Sequence, residues 1–151
     1  MPAPPKILLI VEDQILLAMG LKEDLEDGGY RVLELAVRHQ EALGFAREIK
    51  PDLALVNIDL ANGDDGVALA RDLIAIGVPV LFISGQPERA RVEKAVAIAS
   101  LAKPYSGADM LEAVDYLLRR QPEDRPHPRP PRLEVFDTAF QGGRSADATS
   151  P

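Results

Sequence analysis

Between positions 6 and 120, apolar residues form short unbroken runs separated by longer stretches with a helical repeat. The runs Ile7–Val11, Tyr30–Leu35, Leu53–Val56, Val78–Ile83 and Ala97–Ala102 predict strands. Three of them are almost continuously apolar, as strands covered on both faces must be. The intervening stretches predict helices. Gln14–Asp27 stops at Gly28-Gly29, and His39–Ile49 places Ala42, Leu43, Ala46 and Ile49 on one stripe before Pro51. Asp65–Ile76 aligns Val67, Ala70, Leu73 and Ile74, with Gly77 beyond its end. Pro87–Val96 is shorter and more weakly patterned. Ser106–Arg120 opens on a capping serine, turns Met110, Val114, Leu117 and Leu118 inward, and sets Arg119 and Arg120 at the negative helix end. Five strand–helix units in series predict a doubly wound α/β fold, a five-stranded parallel sheet with helices on both faces.

The pattern divides the chain into a lead over 1–5, one domain over 6–120 and a tail over 121–151. Five prolines between Gln121 and Arg132, and a small polar stretch from Gln141, predict a mostly disordered tail. Leu133, Val135, Phe136 and Phe140 interrupt it, either as a docking motif or as a segment that folds back on the domain. Apolar residues make up 46% of the chain, enough for one core, but aromatics only 5%, so aliphatic side chains must do the packing. A formal net charge of -7 opposes non-specific contact with nucleic acid, whose phosphates it would repel. The chain has no cysteine, which excludes disulfides, thiolate metal sites and cysteine nucleophiles. The run Ile7–Val11 is cut short by Glu12 and Asp13, too soon for a signal peptide or a membrane span, so a cytoplasmic protein is expected.

In doubly wound sheets the chemistry collects at the carboxyl ends of the strands. There the sequence puts Glu12-Asp13 after the first strand, Asn57 and then Asp59 after the third, Ser84 at the end of the fourth and Lys103-Pro104 after the fifth. Taken singly, a strand-end acid pair is usually a solvated helix start and a Lys-Pro simply a turn. Their occurrence in strand order argues for a shared site.

The blocks KILLIVED, PDLALVNIDLANGDDG, VPVLFISG and LAKPY resemble those of response-regulator receiver domains, the flavodoxin-like (βα)5 modules of two-component signalling. The resemblance spans residues 6 to about 120 and implies a bound Mg²⁺. By position, Asp13 is the implied direct metal ligand, Glu12 its acidic partner and the main-chain carbonyl of Asp59 a further ligand. Ser84 is the implied hydroxyl for a phosphoryl oxygen and Lys103 its cationic partner, with a cis Lys103-Pro104 bond. A hard ion that prefers oxygen ligands suits such clustered carboxylates. A phosphoryl group in transfer spreads charge that a metal and an ammonium stabilise from two sides.

One departure governs the expected mechanism. The family's phosphoacceptor aspartate is replaced by Asn57, whose carboxamide has no anionic oxygen to attack phosphorus and offers the metal only a neutral one. The expectation is a single-domain response regulator that keeps its pocket, binds Mg²⁺ more weakly, is not an enzyme and acts by protein–protein binding. Asn57 is either natural to a pseudo-receiver or an engineered Asp→Asn change. Asp64 and Asp65 read as loop and helix-cap acids rather than nucleophiles. Ser100 stands where receivers carry an aromatic, and Gln86 where a subgroup with a FATG-type strand end has tyrosine; with the short fourth helix, these imply a mobile stretch around 85–96. No helix-turn-helix follows residue 120, so the expected partners are a histidine kinase or phosphotransfer protein and other signalling proteins, not nucleic acid or membrane. The competing reading is an Mg²⁺-dependent phosphatase or phosphotransferase of dehalogenase-like type built on Asn57-x-Asp59.

Overall fold

The computed structural model describes residues 4–60, 65–119 and 129–136. The elements run β1 (Ile7–Val11), α1 (Ile15–Asp27), β2 (Arg31–Val32), α2 (His39–Glu48), β3 (Leu53–Asn57), α3 (Gly66–Ala75), β4 (Val80–Ser84), α4 (Pro87–Val92), a 3₁₀ turn (Lys94–Val96), β5 (Ala99–Ala102), α5 (Gly107–Arg119) and β6 (Leu133–Val135). They build one sheet in the order β2-β1-β3-β4-β5-β6, in which the first five strands are parallel. Alternation along the strands divides the core in two. Leu8, Ile10, Leu53, Leu55, Leu81 and Ile83 pack with α1 and α5. Leu9, Val11, Ala54, Val56, Val80 and Phe82 face α2, α3 and α4. This is the doubly wound flavodoxin-like arrangement, with its switch in strand order between β1 and β3.

Several predicted boundaries shift for local reasons. The second strand is regular only over Arg31–Val32, although the chain stays beside β1: Leu33 N–H donates to Leu8 O, and Ala36 N–H to Ile10 O. Glu34 and Leu35 lie between these contacts. The fourth strand starts at Val80 because Val78 N–H closes the end of α3 on Leu73 O and Pro79 has no N–H. Ile49 leaves the predicted stripe: it follows the last turn of α2 in extended backbone and is exposed. The helix predicted over Pro87–Val96 breaks into six α-helical residues and a 3₁₀ turn. The Ser106 cap forms as a reciprocal pair, Asp109 N–H donating to Ser106 Oγ at 3.0 Å and Ser106 N–H to Asp109 Oδ2 at 2.9 Å.

The largest difference is a sixth, antiparallel strand. Of the two alternatives for the apolar tail residues, the fold-back is the one observed: β6 pairs with β5 in the register Leu101↔Leu133 and Ala99↔Val135. Leu133 and Phe136 are each 3% exposed and enter opposite layers of the core. Burial of two such side chains contributes roughly 1.5–3 kcal/mol each, enough to order a short strand that β-propensity alone would not. The lead at 1–3, Asp64, Arg120, Phe140 and the rest of the predicted disordered tail lie outside the described residues.

Because β6 sits at a sheet edge, losing its contacts need not open the core beneath it. Phe82→Ala, in the centre of β4, is expected to cost roughly 3–5 kcal/mol. Phe136→Ala is expected to cost much less, since the strand can detach while the domain stays folded. Urea unfolding of the two variants checks this, and equal losses would contradict it.

Candidate functional site

Parallel register brings the strand-end residues side by side. Val11 pairs with Val56, Asn57 with Ile83 and Ser84 with Ala102, so Glu12, Asn57, Ser84 and Lys103 follow one another along one rim. Glu12 is fully buried and Asn57 2% exposed. Asn57 Oδ1 accepts from Asp59 N–H at 3.1 Å, which fixes the orientation of the amide. Its other end, Nδ2, then donates to Glu12 Oε2 at 3.2 Å, an oxygen that also accepts from Gln14 N–H at 3.1 Å. The second carboxylate oxygen, Glu12 Oε1, is buried without a hydrogen-bond partner.

Glu12 is therefore an acid held out of water on incomplete terms. Desolvation raises its pKa above the ordinary carboxylate value, against the hydrogen bonds from Gln14 and Asn57, while neighbouring Asp13 raises it further and Lys103 lowers it. Asp13 and Lys103 are half-buried beside it. Ser84 Oγ accepts from Gln86 N–H at 2.9 Å and donates to Gln86 O at 3.0 Å, while Ser84 O receives Lys103 N–H at 2.9 Å. Lys103-Pro104 is cis. The side chain of Asp59 does not join the rim. It is exposed and pairs with Arg89 at the start of α4. Asp65 caps α3, accepting from Val67 N–H at 2.9 Å, a cap role rather than that of a nucleophile. Ser100 is buried on β5 opposite Phe82 and Glu134.

Three contributors had no clear signal in the sequence. Arg89 meets Asp59 beside the rim only through the fold. Tyr105 keeps its hydroxyl buried and unpaired, and burial together with the charge of Glu12 pushes its pKa up to about 12. Gly66 begins α3 against the backbone behind Asn57, where a Cβ would meet Asn57 O at 2.6 Å and Ile58 Cα at 2.8 Å. Its position in the block that ends GDDG was the one available hint.

As a cation site, the rim offers hard oxygen donors and an unpartnered carboxylate oxygen, which fit Mg²⁺ in kind. It offers them with little charge: among the described residues, no three acidic or histidine side chains converge as a metal-holding group.

Several known proteins are similar to this chain in sequence or fold. The response regulator receiver domain model matches residues 8–115. The transcriptional regulatory protein PdtaR of Mycobacterium tuberculosis is 32% identical over 122 residues, covering 78% of this chain and 59% of that protein. The phyllosphere-induced regulator PhyR of Methylorubrum extorquens is 36% identical over 114 residues, covering 74% of this chain and 43% of that protein. The chain thus spans about half the length of the curated relatives it matches. Among solved structures, a CheY-like receiver domain protein of Methanospirillum hungatei superposes with a TM-score of 0.69 at 28% identity, covering 76% of this chain and 94% of that one. No helix among the described residues is long and apolar enough to cross a membrane.

The burial of Glu12 makes stability depend on pH. An acid whose pKa rises on folding holds its proton more tightly in the native state. Its contribution is therefore most favourable below the unfolded value of 4.5 and declines as pH rises towards the raised native value. In metal-free buffer, Glu12→Gln is expected to raise Tm at neutral pH, with the gain disappearing below the ordinary carboxylate range. Thermal unfolding at several pH values checks this; a difference that does not vary with pH would contradict it.

Proposed function

Since the chain belongs to the response regulator receiver domain family, we propose that it serves two-component signalling as a receiver that is not phosphorylated at residue 57 and acts through protein–protein contacts. Receiver domains of two-component systems interact with kinases and phosphotransfer proteins, and generally bind Mg²⁺. The observation that carries the proposal is Asn57 itself, buried at the end of β3 and hydrogen-bonded to Glu12 and Asp59. A carboxamide in that place has no anionic oxygen with which to form an acyl phosphate.

In this reading Glu12, Asp13, Asn57 and the main-chain carbonyl of Asp59 would hold Mg²⁺. Loss of one ligand charge weakens the metal's hold. The cation supplies positive charge for phosphoryl oxygens when bound. Ser84 and Lys103 retain a hydroxyl and an ammonium for the same oxygens. The Asn57 amide meanwhile satisfies one oxygen of Glu12 with its own N–H, so the rim carries part of its compensation internally. The expected partners are a histidine kinase or phosphotransfer protein and other signalling proteins, met in the cytoplasm, and the domain is read as a signalling module without turnover. The dehalogenase-type alternative gains no support. Its pair straddles the end of β3, led by an amide on the last strand residue, and the side chain of Asp59 is engaged by Arg89.

Acetyl phosphate with Mg²⁺ is expected to leave the chain unmodified at residue 57, whereas Asn57→Asp should gain a labile phosphoryl group there. Intact-mass spectrometry with peptide mapping reads both. Phosphorylation of Asn57 in the starting chain would overturn the proposal. A silent Asn57→Asp variant would show that Ser84 and Lys103 no longer support the chemistry.

A further inference from the structure

The β5 edge is covered by a strand that belongs to the chain's own tail, and the contacts holding it are those of a docked peptide. A sheet edge presents a row of unpaired N–H and C=O groups that any extended segment can bond. Here Phe136 N–H donates to Ile98 O at 2.8 Å and Ala102 N–H to Arg132 O at 3.2 Å, bracketing the three residues of β6. Side chains supply the selectivity. Leu133 enters the layer under α5 and Phe136 the layer under α4. Between them Glu134 takes a two-pronged bond from Arg91 of α4, Nε to Oε2 at 2.8 Å and Nη2 to Oε1 at 2.9 Å. On the other side Arg132 lies 3.6 Å from Asp109 of α5.

The attachment is slight beside that of the central strands. β6 has three residues, and both ion pairs lie at the exposed surface, where such pairs contribute little. An open cleft lined by Leu101, Asp109, Pro130, Pro131 and Arg132 borders it, so the entry of the strand is not packed flat against the domain. Strand addition of this kind takes affinity from backbone bonds and specificity from alternate side-chain pockets.

We propose that the β5 edge, framed by Arg91 and Asp109, is a docking groove for an extended protein segment with the pattern apolar–acidic–apolar–aromatic, and that residues 133–136 are its resident, displaceable occupant. The resident strand makes the groove self-closed. A partner segment of the same chemistry gains access by replacing it.

The probe is a fluorescein-labelled peptide of residues 130–137, Pro-Pro-Arg-Leu-Glu-Val-Phe-Asp, read by anisotropy against the full chain. Opening the groove with Leu133→Asp and Phe136→Asp together should tighten binding by about tenfold or more over the starting chain. Adding Arg91→Glu, which turns this exposed pair into a like-charge contact, should weaken binding to the opened chain about two- to fivefold, and a peptide carrying arginine in place of its glutamate should restore it. Binding to the opened chain that is no tighter, with circular dichroism showing it folded, would overturn the proposal; so would indifference to Arg91→Glu. Where the opened chain does not fold, the starting chain in its isotope-labelled form is titrated with unlabelled peptide. Displacement moves the resonances of residues 133–136 to free positions while β5 stays paired, and resonances unmoved by millimolar peptide would overturn the proposal.

Discussion

In a parallel sheet every strand points the same way, so the residue that ends one strand lies beside the residue that ends the next. That constraint makes a site from four groups far apart in sequence. Once Leu8–Val11 pair with Leu53–Val56, Ala54–Asn57 with Val80–Ile83, and Leu81–Ser84 with Ala99–Ala102, the positions of Glu12 and Asn57 relative to Ser84 and Lys103 follow without further instruction. The two apolar layers exist to hold this register, because a slip of one residue would send Leu9, Val11, Ala54 and Val56 to the wrong face.

Asn57 changes the energetics of the rim more than its shape. An aspartate there would set a second charge against the buried Glu12 and demand a cation. The amide instead brings its own hydrogen-bond donor, leaving one oxygen of Glu12 served and the other unpartnered. That half-satisfied carboxylate is why the rim fits a hard cation in kind while requiring one less. Gly66 protects the arrangement from behind, since any side chain there would push α3 off the backbone of Asn57 and Ile58.

Much of this was legible in the sequence because it is written in local patterns. Five apolar runs gave the strands, Gly28-Gly29 and Gly77 marked two helix ends, and the order of Glu12-Asp13, Asn57, Ser84 and Lys103 located the rim. What escaped depends on tertiary contact. Nothing near Arg89 says that it will meet Asp59, and nothing near Tyr105 says that its hydroxyl will be buried. The second strand shrank because regular pairing with β1 is interrupted between the bonds of Leu33 and Ala36, a break its apolar composition does not reveal. Leu133 and Phe136 were visible as anomalies in a proline-rich tail, but only the vacant edge of β5 gives them a destination.

At issue is whether a rim with Asn57 at its centre takes up a phosphoryl group. Beryllofluoride with Mg²⁺, a phosphoryl mimic that needs a carboxylate anchor, tests it most directly through amide chemical shifts. The expected result is that the resonances of Asn57, Ser84, Gln86 and Lys103 keep their positions when the mimic is added. A second set of resonances at these residues, growing in with the mimic, would contradict it.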